Sequence, residues 1–129
     1  MCTDIMQAAA GARFTGESGL LRHYRRRRLK GETYPGMIAA RDEVVDGILY
    51  HHLSPPVFRR LDVFEGEMYA RCRVQVETAG GLVRPAFTYV LRKDFEDRLG
   101  DEPWSLTWFR RSGKKIFEAG YFGFNALNP

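Results

Sequence analysis

Ser54-Pro55-Pro56-Val57-Phe58-Arg59-Arg60-Leu61-Asp62-Val63-Phe64-Glu65-Gly66 is the stretch on which the fold turns. Ser54 suits an N-cap, and Pro55 suits the first helical position, where its missing N–H would have had no intrahelical partner. Val57, Phe58, Leu61 and Phe64 recur at helical spacing and form one apolar stripe, and Gly66 marks the stop. The pattern predicts a helix from Pro55 to Gly66 with strands on both sides. Upstream, Val44, Val45, Ile48, Leu49 and Tyr50 make a β-rich run that ends before Ser54. Downstream, Tyr69, Cys72, Val74 and Val76 lead into Gly80-Gly81, and Val83 to Leu91 runs back, the pattern of an antiparallel hairpin.

Working further outward, Ile5 to Ala10 is rich in helix formers and stops at Gly11, with Thr3 or Asp4 as N-cap. Leu20 to Lys30, bounded by Gly19 and Gly31, reads as a strand with a solvated face. Tyr34-Pro35-Gly36-Met37 places Pro and Gly at the central positions of a type II turn, and Met37 to Ala40 follows as a short strand. Trp108, Phe109, Ser112, Ile116 and Phe117 predict a second amphipathic helix ending near Gly120. Because no strand–helix–strand alternation recurs, the order predicts an α+β fold with a mainly antiparallel, barrel-like sheet.

At 129 residues the chain is long enough for one core and is read as a single domain over 1–129. Its 44% hydrophobic and 28% charged content fits a globular chain, with 13 Gly and 6 Pro too few for low complexity. Two cysteines, Cys2 and Cys72, build no disulfide framework, so a reduced, cytoplasmic setting is expected. The first twelve residues lack a basic leader and an apolar run, and nowhere do 18 apolar residues follow one another, so no membrane partner is expected. The three histidines, His23, His51 and His52, sit beside no Cys or carboxylate set of ligand spacing, so no metal site is expected. A nucleophile elbow, a zincin motif, a phosphate-binding loop and a dinucleotide fingerprint are all absent.

The most conspicuous charge lies in Arg22, Arg25, Arg26, Arg27, Arg28 and Lys30, six cations within nine positions. Without them the net charge of +4 becomes −2, so the basic balance belongs to one segment. With His23 and Tyr24 beside it, such a strip could meet phosphates. A strand turns alternate residues to opposite faces, however, so these arginines are expected to pair with acids such as Glu32, Asp42, Glu43 and Asp46, and no nucleic-acid partner is expected.

Glu65 differs in kind. It falls where the predicted helix ends, beside Phe64 and near Tyr69. The negative end of the helix dipole and apolar neighbours both disfavour an ionised carboxylate, which raises its pKa toward that of a useful general base. The other reading is an exposed last-turn acid with Gly66 as a simple cap.

Four blocks then carry a resemblance: Tyr34-Pro35-Gly36; Val45-Asp46-Gly47-Ile48-Leu49-Tyr50; Leu61-Asp62-Val63-Phe64-Glu65-Gly66-Glu67-Met68-Tyr69-Ala70-Arg71; and Ala86-Phe87-Thr88-Tyr89-Val90. In this order they resemble the gamma-glutamylcyclotransferase-like, or avirulence-induced-gene-like, family. The resemblance implies a small mixed, mainly antiparallel barrel flanked by helices, with a pocket at one end, and no cofactor. It places the catalytic acid/base on Glu65 and puts Tyr34, Pro35, Gly36, Tyr69 and Tyr89 against a small γ-glutamyl substrate. It also implies an acyl transfer in which the α-amine of a γ-glutamyl group attacks its own γ-carbonyl, releasing 5-oxoproline and an amine or peptide.

Active relatives open with a strand ending in a Tyr-Gly-Ser/Thr-Leu loop, and this chain carries no such motif. Two expectations follow: an enzyme whose chain begins upstream of Met1, or a non-catalytic relative that binds a small molecule or a protein in the same pocket.

Overall fold

The computed structural model describes residues 3–127, and the Ser54–Gly66 stretch forms helix α2, Pro55–Glu65. Ser54 is extended and its side chain makes no cap. Its carbonyl instead accepts the Phe58 N–H at 3.1 Å, starting the helical ladder. Leu61 and Phe64 are the buried members of the predicted stripe, with Phe64 only 2% exposed. At the far end Gly66 takes φ 83, which a side chain rarely adopts, and a Cβ there would run into the Phe122 ring.

Around α2 the chain lays down α1 (Thr3–Ala10), β1 (Gly16–Leu29), β2 (Pro35–Tyr50), β3 (Tyr69–Glu77), β4 (Val83–Leu91) and β5 (Leu99–Pro103). The sheet order is β2-β1-β3-β4, with β5 also on β1, and every pairing among the described residues is antiparallel. The α+β class is as expected, and the sheet is curled. β2 and β4 are not paired with each other, so closure into a barrel is not reached among the described residues. Capping of α1 by Thr3 or Asp4 lies outside what the described residues settle, as does Cys2, whereas Cys72 is a free thiol.

Two local expectations are corrected. The reversal between β1 and β2 is not a type II turn over Tyr34–Met37. It occurs at Lys30-Gly31, where Gly31 supplies φ 75 and the Glu32 N–H reaches the Leu29 carbonyl at 3.0 Å. Pro35 opens β2 opposite Arg28, a strand-end position that needs no N–H. Gly36 serves packing, since a Cβ would lie 2.5 Å from Leu91 Cδ1. The two predicted strands Met37–Ala40 and Val44–Tyr50 are one strand with a bulge: pairing jumps from Arg22↔Val44 to Tyr24↔Ala39, with His23 and Asp42 at φ 69 and 65. The charged Arg41-Asp42-Glu43 interrupts the apolar pattern there without interrupting the strand.

The β3–β4 hairpin pairs in register from Tyr69↔Leu91 to Glu77↔Val83, with Gly80 and Gly81 turning at positive φ. β5 carries no strand signature in Gly100-Asp101-Glu102-Pro103 and, among the described residues, pairs with β1. The C-terminal helix starts at α3 (Leu106–Trp108), passes through a π-turn at Phe109–Gly113 and continues as α4 (Lys114–Gly120), followed by α5 (Phe122–Leu127). The π-turn resets the stripe: Phe109, Gly113 and Phe117 are buried, whereas the predicted Ser112 is exposed and Ile116 is 63% exposed. Ile5, Met6, Ala9, Leu61, Phe64, Phe109, Phe117 and Tyr121 form the main core, packed over one end of the curled sheet.

Candidate active site

Between the curled sheet and this helical layer lies a cavity of about 750 Å³. β1 and β3 supply its floor (Gly19, Leu21, Val76), β2 and β4 its sides, and α1, α2 and α4 its roof (Met6, Leu61, Phe64, Glu65, Phe117). Glu65, Tyr34, Pro35, Gly36, Tyr69 and Tyr89 all line it. The structure therefore brings together residues spread over more than fifty positions of sequence.

Helix α2 ends at Glu65, so its carboxyl projects from the last turn into the cavity. It is enclosed by protein yet half-open to the cavity, and no hydrogen bond from the described residues reaches it. Burial removes the water that would solvate the anion, and the nearby Asp62 charge adds repulsion; together they push the Glu65 pKa up to about 7. Tyr121 fixes the backbone here, donating its hydroxyl to the Glu65 carbonyl at 3.0 Å. Tyr121 stacks on Phe117, with ring centroids 4.5 Å apart, so the C-terminal helix braces the end of α2.

The tyrosines are more committed than the sequence suggests. Tyr69 donates to the Pro35 carbonyl at 2.7 Å, tying β3 to the start of β2. Tyr89 donates to Asp62 Oδ1 at 2.5 Å, one helical turn before Glu65. Arg71 Nε stands 3.7 Å from the same carboxylate, and its guanidinium lies over the rings of Phe58 and Phe87. Burial raises the pKa of Tyr69, Tyr89 and Tyr121, so all three stay neutral donors at any physiological pH. Among the described residues Tyr34 makes no side-chain hydrogen bond, and it packs edge-on against Tyr121 and Phe117.

Asp62 and Tyr121 are members of this arrangement that sequence reading did not single out. The signal for Asp62 was its position three residues before Glu65, which puts the two carboxylates on one helix face. Tyr121 gave no signal, because it follows the glycine at which the helical pattern stops.

Each of the five arginines of the strip is paired in place, although Arg25 and Arg27 share one acid. Arg22 pairs with Glu77, Arg25 and Arg27 with Glu43, Arg26 with Asp46 and Arg28 with Glu102, at 2.6–3.2 Å. Arg26 and Arg28 also lie over Trp104 and Trp108. Asp42 and Glu32, named as possible side-chain partners, take no such part; Glu32 contributes only its carbonyl, to Arg28. His51 bonds Glu17 at 2.9 Å at the end of β2. No group of three metal-ligating side chains occurs among the described residues, and no described helix is long and apolar enough to cross a membrane.

A family model described as gamma-glutamyl cyclotransferase, AIG2-like, matches residues 2–108. The chain is similar to a protein of Arabidopsis thaliana solved in solution, at 22% identity and a TM-score of 0.70, covering 99% of this chain and 78% of that one. A second Arabidopsis thaliana solution structure matches at 25% identity and a TM-score of 0.66, covering 92% of this chain and 80% of that one. No curated protein matches.

Proposed function

Since the chain belongs to the gamma-glutamyl cyclotransferase, AIG2-like family, we propose that it cyclises a γ-glutamyl amine or peptide, with Glu65 as the general acid/base. The observation that carries this reading is the Glu65 carboxyl itself, turned into the cavity without a hydrogen bond from the described residues and with its pKa pushed up to about 7 by burial.

The reaction asks for little beyond that group. The α-ammonium of the substrate gives a proton to Glu65 and becomes a nucleophile. Its nitrogen forms a bond to the γ-carbonyl carbon of the same molecule, closing a five-membered ring. The bond from that carbon to the departing nitrogen breaks as Glu65 returns the proton to that nitrogen; the freed carboxylate then takes the second proton from the ring nitrogen and passes it to the departing amine, so 5-oxoproline and an ammonium leave and the Glu65 carboxylate is regenerated. A carboxyl with a pKa near 7 is suited to both halves, being ionised often enough to accept and acidic enough to donate. Ring closure is intramolecular, so the cavity walls contribute by folding the glutamyl chain on itself. Tyr34 supports this reading, since its hydroxyl makes no hydrogen bond among the described residues, while Tyr69 and Tyr89 hold Pro35 and Asp62 in position.

The test is release of 5-oxoproline from a panel of γ-glutamyl amines, amino acids and peptides, by the native chain and by Glu65→Gln. Turnover lost in the variant supports the assignment, and equal turnover in both ends it. Saturable binding of the panel with no turnover by the native chain assigns the protein to the non-catalytic alternative.

A further inference from the structure

A second cleft shares only Tyr34 with the cavity. Its apolar walls are Val63 of α2, Met68, Phe95 and Phe122 of α5, and two charged side chains, Glu67 and Arg98, border it. Gly66 completes the lining. No residue of β1 to β5 takes part, so these walls do not depend on how the edges of the sheet are completed.

Main-chain bonds hold the walls in place. The Arg92 N–H donates to the Met68 carbonyl at 2.8 Å and the Phe95 N–H to the Arg92 carbonyl at 2.9 Å, which fixes the short helical turn Lys93–Arg98 against the start of β3. At the other end of that turn the Lys30 N–H donates to the Arg98 carbonyl at 2.9 Å. Phe122 sits against Gly66, where a Cβ would collide with its ring. Walls fixed before a ligand arrives reduce the ordering entropy that binding would otherwise cost. Two of them are open to water, with Val63 47% and Phe122 45% exposed, and an apolar group that covers them gains free energy.

The charges decide what else a ligand must carry. The Arg98 guanidinium lies over the Phe95 ring, 5.1 Å from its centroid, and donates to Met68 Sδ at 3.6 Å. These contacts aim it without neutralising it, since a thioether is a weak acceptor and a guanidinium has five N–H donors. Its charge also reaches the Tyr34 hydroxyl, whose pKa burial pushes up, with Glu32 adding to the rise and Arg98 opposing it. Neither Arg98 nor Glu67 takes part in an ion pair among the described residues, with each other or with any other group. A carboxylate suits the first and an ammonium the second.

We propose that this cleft binds a free α-amino acid with an apolar side chain, its carboxylate on Arg98, its ammonium on Glu67 and its side chain against Val63, Met68, Phe95 and Phe122. A simple anion or a simple cation would answer one of the two charges and leave the other beside it unanswered. A zwitterion answers both. The inference does not depend on the reaction assigned to Glu65.

The probe is L-phenylalanine, titrated into the native chain and followed at the Met68 methyl resonance, which should move saturably. Phenylalaninamide lacks the carboxylate, N-acetylphenylalanine lacks the ammonium and glycine lacks the side chain; each should bind about tenfold more weakly or worse. Arg98→Gln should erase the preference over the amide, and Glu67→Gln the preference over the acetylated form. Both side chains are exposed, so neither change disturbs the core. Glu65→Gln should bind phenylalanine as tightly as the native chain does. A Met68 resonance that does not move, or any one of the three truncated ligands binding as well as phenylalanine, would overturn the proposal. So would weaker binding by Glu65→Gln, since the amino acid would then occupy the catalytic cavity.

Discussion

Strand β1 and the end of helix α2 present opposite electrostatic problems. β1 carries the densest charge in the chain, yet each arginine from Arg25 to Arg28, like Arg22, meets an acid within 3.2 Å. The end of α2 offers one glutamate that meets no cation among the described side chains and sits inside a cavity. Paired charge at a surface leaves little free energy for anything else, because solvent and partner have already satisfied it. A lone carboxyl taken out of water keeps a raised proton affinity, and proton affinity is what acid/base chemistry draws on. Conspicuousness in sequence and availability in space are therefore different properties, and in this chain they point to different segments.

The sharpest way to break the comparison is Glu65→Gln, which keeps the shape and removes the proton site. Turnover of a γ-glutamyl substrate should fall by roughly 10²- to 10⁴-fold, the range of a general acid/base. In the native protein the rate should rise with pH through about 7 as Glu65 ionises. A steady-state pH profile checks both; a profile flat through that range removes Glu65 from the mechanism.

The same substitution has a stability consequence of smaller size. The folded-state pKa of Glu65 is raised above that of the unfolded chain, so the unfolded state releases its proton first as pH increases. Stability is then lost between about pH 4.5 and 7, and the loss is complete above that window. Glu65→Gln abolishes this term. The variant should exceed the native protein by on the order of 2 kcal/mol at pH 8, after discounting for contact with the cavity, and by nothing attributable to ionisation at pH 4. Urea unfolding at the two pH values measures it. A difference that is the same at both would mean that Glu65 is not desolvated.

Tyr89→Phe gives a smaller effect and sharpens the view of the support behind Glu65. It leaves Asp62 with Arg71 at 3.7 Å and without its 2.5 Å hydrogen bond, at a cost of about 1–2 kcal/mol in stability. If Tyr89 acts by holding Asp62 and not by touching substrate, kcat should fall while KM stays within about twofold of native.

How far the sequence reached follows from where its information lies. The helix over Pro55–Glu65, the β3–β4 hairpin and the first helix are local in origin, each written in a periodicity and a stop signal within its own residues. β5 was invisible because Gly100-Asp101-Glu102-Pro103 owes its extended form to pairing with β1, many positions away. The type II turn read from Pro35-Gly36 failed for the same reason: pairing with Arg28 and Arg27 outweighs the local preference of a Pro-Gly pair. The neighbours of Glu65 marked it as a candidate but left an exposed last-turn acid as the other reading, and the resemblance chose between the two and added the five other cavity residues. Their hydrogen bonds could not be read, since whether Tyr89 faces a substrate or Asp62 depends on how hairpin and helix pack.

The least effect is expected at the other pole of the comparison, the β1 arginines. Arg22 and Glu77 stand 2.8 Å apart with side chains 55% and 34% exposed, near the Leu20↔Glu77 bridge that joins β1 to β3. Their attraction acts through water, is screened within about 8–10 Å at ordinary salt, and is opposed by the entropy of holding two long side chains in one geometry. A double-mutant cycle with Arg22→Ala and Glu77→Ala should therefore return a coupling of about 0.2–1 kcal/mol that fades in 1 M salt. A coupling of several kcal/mol that survives salt would show that the pair is shielded from solvent as the folded chain moves. The contrast between a spent surface charge and a reserved buried one would then be wrong at its weaker end, and the β1 strip would need a role of its own.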